Sequence, residues 1–337
     1  MKFFKNSILF LLLITGAGLT ACTPPGSGGE PIRRTQFIMG TLVEITISGA
    51  DPQVAQMASS QAFDEFSRIE KLMSTYIAES EISKFNLAAG GDPQSLSRET
   101  MTVLKDGLHW SKLSSGAFDI TIEPLTRLWD FDGKVPSVPS PEALKRAINL
   151  VGHNDLQLDE KGARLKRPGM AINLGSIAKG YAVDRAYEIL KGLVPAGIIN
   201  AGGDLMAFGQ RGPDQPWIIG LQHPRKPQDL LASFGVEGWA VATSGDYQRY
   251  FEQDGVRYHH LLDPKTGMPA RGLTSVTIKA SNVMQADALA TAVFVLGPDR
   301  GFTWVDAMED VEAMLILPDG SQKFTDRFRE QPQFTLR

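Results

Sequence analysis

Asp287 and Thr291 stand four residues apart in Gln285-Ala-Asp-Ala-Leu-Ala-Thr-Ala-Val293. On a helix, positions i and i+4 share a face, so a carboxylate and a hydroxyl point the same way. The alanines around them let another group approach closely. An all-oxygen pair of this kind suits a hard cation such as Mg2+. The competing structural reading is an aspartate near a helix start with a core threonine behind it. Two ligands alone do not decide between the two.

A second candidate is Asn173-Leu-Gly-Ser-Ile-Ala-Lys-Gly-Tyr-Ala-Val-Asp184. Ser176 is a fair N-cap, and Gly175 lets the chain turn into the helix. The open N–H groups and dipole of a helix N-terminus suit phosphate. Lys179, in the first turn, opposes that dipole, and Gly180 costs about 1 kcal/mol relative to alanine. Two local penalties in one turn point to a ligand requirement; a solvated lysine beside a packing glycine is the plain alternative. Asn200-Ala-Gly-Gly-Asp204 reads first as a hairpin turn, although its glycines would also let a ligand reach the backbone. In Tyr258-His-His-Leu-Leu-Asp-Pro-Lys-Thr-Gly267, His259 and His260 face opposite sides of a strand, so at most one serves a given site. A strand-end histidine can act as a general base near neutral pH, while a structural role is the commoner use. Leu72-Met-Ser-Thr-Tyr76 and Gly116-Ala-Phe-Asp119 set rings beside polar groups. Tyr76 could stack on a flat aromatic ligand, whereas Phe118 alone reads as core.

These residues need elements to hold them. Residues 41–48 alternate and read as a strand. Asp51-Pro52 opens a helix with Val54, Ala58, Ala62, Phe66 and Ile69 at helical spacing. Further helices are expected at about 99–113, 141–150, 176–190 and 283–296, the last stopping at Gly297-Pro298. Strands are expected at 197–200, 205–208, 217–222, 239–243, 247–252, 256–262 and 275–279, with Asp254-Gly255 as a hairpin turn. Strands clustered in hairpins, with helices between the clusters, indicate α+β rather than a doubly wound parallel sheet.

The chain has 337 residues, 42% hydrophobic and 21% charged, with a formal net charge of −4. That composition is ordinary for a globular protein, and the mildly acidic balance argues against nucleic acid as a partner. No Gly-x-Gly-x-x-Gly, Walker-type loop, His-Glu-x-x-His or Cys-x-x-Cys occurs, which disfavours a dinucleotide fold, a P-loop enzyme and a thiolate zinc site.

The N-terminus carries a different message. Met1-Lys-Phe-Phe-Lys5 is basic, and Ile8 to Leu19 is apolar but shorter than the roughly 20 residues that span a membrane. A charged start, a short apolar run and small residues before a cut have the layout of a secretion signal. Leu19-Thr-Ala-Cys22 resembles the lipobox of bacterial lipoproteins, which implies that Cys22 becomes an acylated N-terminus. It is the only cysteine, so no intramolecular disulfide is possible, and lipidation gives it a use. The expected organisation is a signal peptide over 1–21, a flexible tether over 22–31 rich in Pro and Gly, and one globular domain over 32–337.

The order of the motifs is more specific than any one of them. Met39-Gly-Thr41, Ser74-Thr-Tyr76, Ser80-Glu-Ile-Ser-Lys-Phe-Asn86, Gly116-Ala-Phe-Asp119, the Asn173 segment, Asn200-Ala-Gly-Gly-Asp204, Thr243-Ser-Gly-Asp246, His260-Leu-Leu-Asp-Pro-Lys-Thr-Gly267 and Ala286-Asp-Ala-Leu-Ala-Thr291 follow one another. Together they resemble the ApbE-type FAD:protein FMN transferases from about Thr35 to the last helix. The resemblance implies an α+β fold of mostly antiparallel sheets flanked by helices, with the active site between two subdomains. It also implies Mg2+-dependent transfer of FMN from FAD to a threonine hydroxyl of an acceptor flavoprotein, releasing AMP. Met39, Tyr76, Ala117, Phe118, Asp119, Asn173, Lys179 and Leu261 then match FAD-site positions. Ser176 (through its main-chain oxygen), Asp287 and Thr291 match metal ligands, and His260 with Asp287 would carry catalysis. Relatives often have Asp or Asn at the place of Asn173, and Glu or Lys at that of Lys179.

The implied acceptors are subunits of membrane redox complexes of the Na+-translocating NADH:quinone reductase or Rnf type. The implied location is the periplasmic side of the inner membrane, lipid-anchored, and a monomer is expected. Thr23 is not the Asp that often marks inner-membrane retention, so the choice of membrane follows from the partner. Two rival readings stay open at this point: an FAD pyrophosphatase using water, and a flavin-binding lipoprotein without catalysis.

Overall fold

The computed structural model describes residues 30–131, 133 and 136–337. The leader, Cys22 and the tether up to residue 29 lie outside them. Strands β1 (Ile32–Ile38) and β2 (Thr41–Ser48) form a hairpin whose turn, Met39-Gly40, has φ of 54° and 71°. Helix α1 (Pro52–Met73) follows. Asp51 accepts hydrogen bonds from the N–H groups of Gln53 and Val54, and the expected stripe from Ala58 to Ile69 is buried. Serines cap the next two helices: Ser80 for α2 (Glu81–Leu87) and Ser97 for α3 (Arg98–Leu113). Then come α4 (Glu123–Trp129), α5 (Pro141–Ile148) and a small hairpin, β3 (Leu156–Asp159) with β4 (Gly162–Leu165).

After α6 (Ala178–Leu190) the chain is mostly strand: β5 (Ala196–Ala201), β6 (Asp204–Phe208), β7 (Trp217–His223), β8 (Lys226–Val236), β9 (Trp239–Gly245), β10 (Tyr250–Gln253), β11 (Val256–His259) and β12 (Ser275–Ala280). Two helices, α7 (Val283–Leu296) and α8 (Arg300–Asp306), precede β13 (Glu312–Ile316), β14 (Gln322–Phe324) and β15 (Thr335–Leu336).

The main sheet has eight antiparallel strands in the order β1-β2-β5-β6-β9-β12-β13-β14. Side chains alternate between its faces. On the inner face Val43, Ile45, Ile199, Met206, Ala242 and Ile278 join the large core, which includes α1, α6 and α7. On the outer face Leu205, Ala207, Val241 and Met314 pack with Trp217, Phe234 and Phe328 beneath a three-stranded sheet, β15-β8-β7. A third, smaller core joins α4 and α5 to the β10–β11 hairpin around Trp129, whose ring centroid lies 5.6 Å from that of Tyr258. The architecture is the expected α+β arrangement of antiparallel sheets and flanking helices. No helix among the described residues is long and apolar enough to cross a membrane.

Several expectations need correction. Ser176 does not cap α6: the helix begins at Ala178, Ile177 holds the cap position, and no side chain caps it there. The strand expected from 247 starts at Tyr250, because Asp246 N–H bonds the Thr274 carbonyl and the chain turns out of the large sheet. The strand expected to reach 262 ends at His259. Met39-Gly40 is a turn between two strands, and the strand before it, β1, was not expected. Sequence patterning also missed β8 and β13. The first half of β8 is exposed, and β13 is buried on both faces, so neither alternates.

Candidate active site

Helices α6 and α7 cross in contact at the inner face of the sheet, and Gly180 makes this possible. A Cβ there would come within 2.5 Å of the Val283 carbonyl oxygen and 2.7 Å of Met284 Cα. Its helical penalty is therefore explained by packing, not by a ligand. The crossing brings Asp287, on α7, to the first turn of α6, where its Oδ2 accepts from Gly180 N–H at 3.2 Å. The crossing is reciprocal: Asp184 on α6 accepts from Val283 N–H at 2.8 Å and Met284 N–H at 2.9 Å at the start of α7. Sequence reading gave Asp184 no role; its signal was a carboxylate on the inner face of a helix.

Lys179 projects from the same turn. Its Nζ lies 2.5 Å from Asp204 Oδ2 and 3.5 Å from Asp287 Oδ2. Asp204 sits just past the Gly202–Gly203 turn, so the hairpin is the plain turn expected and also delivers a charged group to the site. Burial opposes the Lys179 charge, but Asp204 and Asp287 outweigh it and raise its pKa. Burial and the Asp204 charge raise the pKa of Asp287. When both are ionised, two buried carboxylates face one ammonium and leave an excess of negative charge. Asp287 Oδ1 accepts from no donor among the described residues. One helical turn on, Thr291 Oγ1 lies 3.3 Å from Ser244 Oγ at the end of β9. The cluster thus offers carboxylate and hydroxyl oxygens to a hard cation. No group of three or more His, Cys, Asp or Glu that could hold a metal occurs among the described residues, so hydroxyl or main-chain oxygens would have to complete a shell.

The two histidines separate as expected. His259 is buried; its Nε2–H donates to the Ala270 carbonyl at 3.0 Å, and its Nδ1 has no partner among the described residues. His260 is half-buried, with Nδ1 3.3 Å from the Arg249 carbonyl. A carbonyl only accepts, so Nδ1 carries the proton and Nε2 keeps its lone pair. Crowding by protein atoms pushes the His260 pKa down to about 3, with the charges of Arg249 and Lys179 adding to the effect.

A sequence model of the ApbE family matches residues 39–315. This chain belongs to the ApbE family. It is 33% identical over 332 residues to an FAD:protein FMN transferase of Vibrio cholerae, covering 96% of each chain. An enzyme of the same name from Klebsiella pneumoniae is 34% identical over 284 residues, covering 83% of this chain and 87% of the other. Among solved structures, the ApbE protein of Thermotoga maritima superposes with a TM-score of 0.84 at 33% identity, over 90% of this chain and all of that one. The flavin transferase ApbE of V. cholerae gives a TM-score of 0.81 at 29% identity, over 90% and 99%.

The positions matched to the family's flavin site occupy distinct settings. Met39 forms the β1–β2 turn in a left-handed conformation, held by its N–H to Glu70 Oε1 at 2.9 Å. Tyr76 is 74% exposed, and its hydroxyl lies 3.5 Å from Arg249 Nη2. Ala117 and Leu261 are buried, and the Phe118 ring is in the large core, as its sequence context suggested.

The Asp119 carboxylate is fully used within the protein. Its Oδ1 accepts from Thr121 N–H and hydroxyl, and its Oδ2 accepts from His153 N–H and meets His153 Nδ1 at 2.9 Å. Asn173 is likewise engaged, accepting from Gly175 N–H at 2.7 Å and donating to buried Glu123 Oε2 at 2.6 Å. Asp119 and Asn173 therefore shape their loops with their side chains. Sequence reading missed the partners His153 and Glu123, which lie 34 and 50 residues away.

Proposed function

We infer that this chain is an FAD:protein FMN transferase. The observation that carries the reading is 33% identity with an enzyme of that name over nearly the whole of both chains. The chemistry of the site supports it. A threonine hydroxyl of an acceptor protein attacks the FMN-side phosphorus of FAD. A phosphoester P–O bond forms, the P–O–P bridge to AMP breaks, and the hydroxyl proton passes to His260 Nε2. His260 is neutral at pH 7, and the negative charge of a bound pyrophosphate raises its basicity. Lys179, at the first turn of α6, holds a phosphate. Exposed Tyr76 offers its ring to the isoalloxazine.

Asp287, Thr291 and the main-chain oxygen of Ser176 would hold Mg2+, with Asp204 beside them. The open oxygen of buried Asp287 and its loose 3.5 Å pairing with Lys179 fit a cation. A cation held there would neutralise charge developing on the leaving phosphate.

The N-terminal segment completes the proposal. Cys22 is acylated and tethers the enzyme, as a monomer, to the periplasmic face of the inner membrane. Its acceptors there are subunits of redox complexes of the Na+-translocating NADH:quinone reductase or Rnf type. The test is incubation with FAD, Mg2+ and a flavin-free acceptor domain, followed by denaturing electrophoresis. Flavin fluorescence that stays with the denatured acceptor is expected; its absence sinks the transferase reading. Undiminished transfer in EDTA would remove the metal, and a normal rate in His260→Ala would remove the base. Membrane fractionation of wild type and Cys22→Ser checks the anchor.

A further inference from the structure

Among the described residues β7 pairs with β8 along one side and with nothing along the other. Open sheet edges pair with other chains unless charge, proline or brevity guards them. The other outer strands of the two larger sheets are guarded: β1 carries Arg33 and Arg34, β14 is three residues with Lys323, and β15 is two residues long. The β10–β11 hairpin carries Glu252 and Arg257. By contrast β7, Trp-Ile-Ile-Gly-Leu-Gln-His, has no Lys, Arg, Asp or Glu in seven residues.

A groove of about 340 Å3 runs beside this strand. Residues 219–222 of β7 form one wall, and the outer face of the large sheet forms the other with Leu205, Val241, Thr243 and Thr277. The two threonine hydroxyls bond each other at 2.9 Å. The groove lies on the outer face of the large sheet, and two features link it to the α6–α7 cluster on the inner face. Its rim includes Gly202 and Gly203, the turn that carries Asp204. Just past the end of β7, Arg225 grips the Asp246 carboxylate at 2.6 and 2.7 Å, two residues from Ser244, which touches Thr291.

We propose that the acceptor protein docks here by strand addition: its threonine-bearing segment pairs in extended form with the open edge of β7 and crosses the Gly202–Gly203 turn to present its hydroxyl. This rests on the transferase reading. In such docking, main-chain hydrogen bonds give affinity and the pockets for alternate side chains give selection. The groove is lined by no Lys, Arg, Asp or Glu, so it selects uncharged residues at every second position.

The experiment places lysines on the edge, Gln222→Lys alone and with Ile218→Lys, both at exposed positions. Transfer is measured against the flavin-free acceptor domain of the assay above. The KM for acceptor is expected to rise about tenfold in the double variant. The FAD Kd, read by flavin fluorescence, and the Tm of the Gln222→Lys protein should stay unchanged. In wild type, amide exchange over 217–223 slows when acceptor is added. An unchanged acceptor KM together with unchanged exchange would overturn the docking strand. A wild-type dimer that these lysines dissociate without moving KM would assign the edge to self-association and overturn it too. Failure of wild type itself to label the acceptor defeats the transferase reading, and the docking strand with it.

Discussion

Asp184 and Asp287 sit on neighbouring helices, and each accepts N–H groups at the start of the other's helix. Their surroundings differ. Asp184 uses both oxygens, one for Val283 and one for Met284, and pins α7 against α6. Burial raises its pKa to about 6, against the lowering effect of those two N–H bonds. Asp287 uses only Oδ2 for its cap, stands beside Asp204 and Lys179, and has Thr291 one turn further along. A buried carboxylate satisfied by two N–H groups is structural. One with an open oxygen, a second carboxylate and an ammonium around it is a place for a cation and a phosphate.

If the comparison holds, neutralising Asp287 should matter most for rate and little for stability. Asp287→Asn keeps an acceptor for Gly180 N–H, so its Tm should stay within a few degrees. FMN transfer should fall by about 10^2- to 10^3-fold. Retention of most of the wild-type rate would make Asp287 another structural cap.

Lys179→Ala tests the charge balance next. It strands two buried carboxylates, so unfolding in urea should show a loss of about 3 kcal/mol. Added Mg2+ should raise the Tm of this variant more than that of wild type. Equal responses would break the link between the carboxylates and a cation.

Asp184 adds a pH dependence of its own. Its folded pKa is about 6 against 3.8 for the free group, so the folded state binds more protons between those values. Wild-type stability, referred to Asp184→Asn, should therefore fall as pH rises from about 4 to 6, by on the order of 2–3 kcal/mol, and then level off. A difference curve that rises over that window would reverse the assignment. The smallest effect is expected from Asp184→Ala at pH 7: about 1–2 kcal/mol of stability for the lost cap, with kcat near wild type. A large fall in kcat with intact folding would give Asp184 a functional part it lacks in this comparison.

Much of the framework was legible in the residues. The stripe from Ala58 to Ile69 and the Asp51-Pro52 start are local signals, and α1 follows them. The same holds for α7, for the Asp254-Gly255 turn, and for the opposite facing of His259 and His260. The Gly180 penalty was visible but misread, because its cause is a second helix more than a hundred residues away. Ser176 was misread as a cap because the chain takes a tight turn from Leu174 before α6 begins at Ala178. The distant partners of Asp119 and Asn173, His153 and Glu123, had no local signal.

The sequence by itself determined that Asp287 and Thr291 share a helix face, that Gly202 and Gly203 make a turn rather than a strand, and that the ordered motifs belong to one family. Helical period and turn chemistry act over a few residues, and motif order is a property of the chain. Only the tertiary structure decided which oxygen of Asp287 is open, that Lys179 meets Asp204 and Asp287 across 25 and 108 residues, and that among the described residues β7 presents an open edge beside a groove on the outer face of the sheet. Those facts depend on burial and on groups distant in sequence, and no local pattern encodes them.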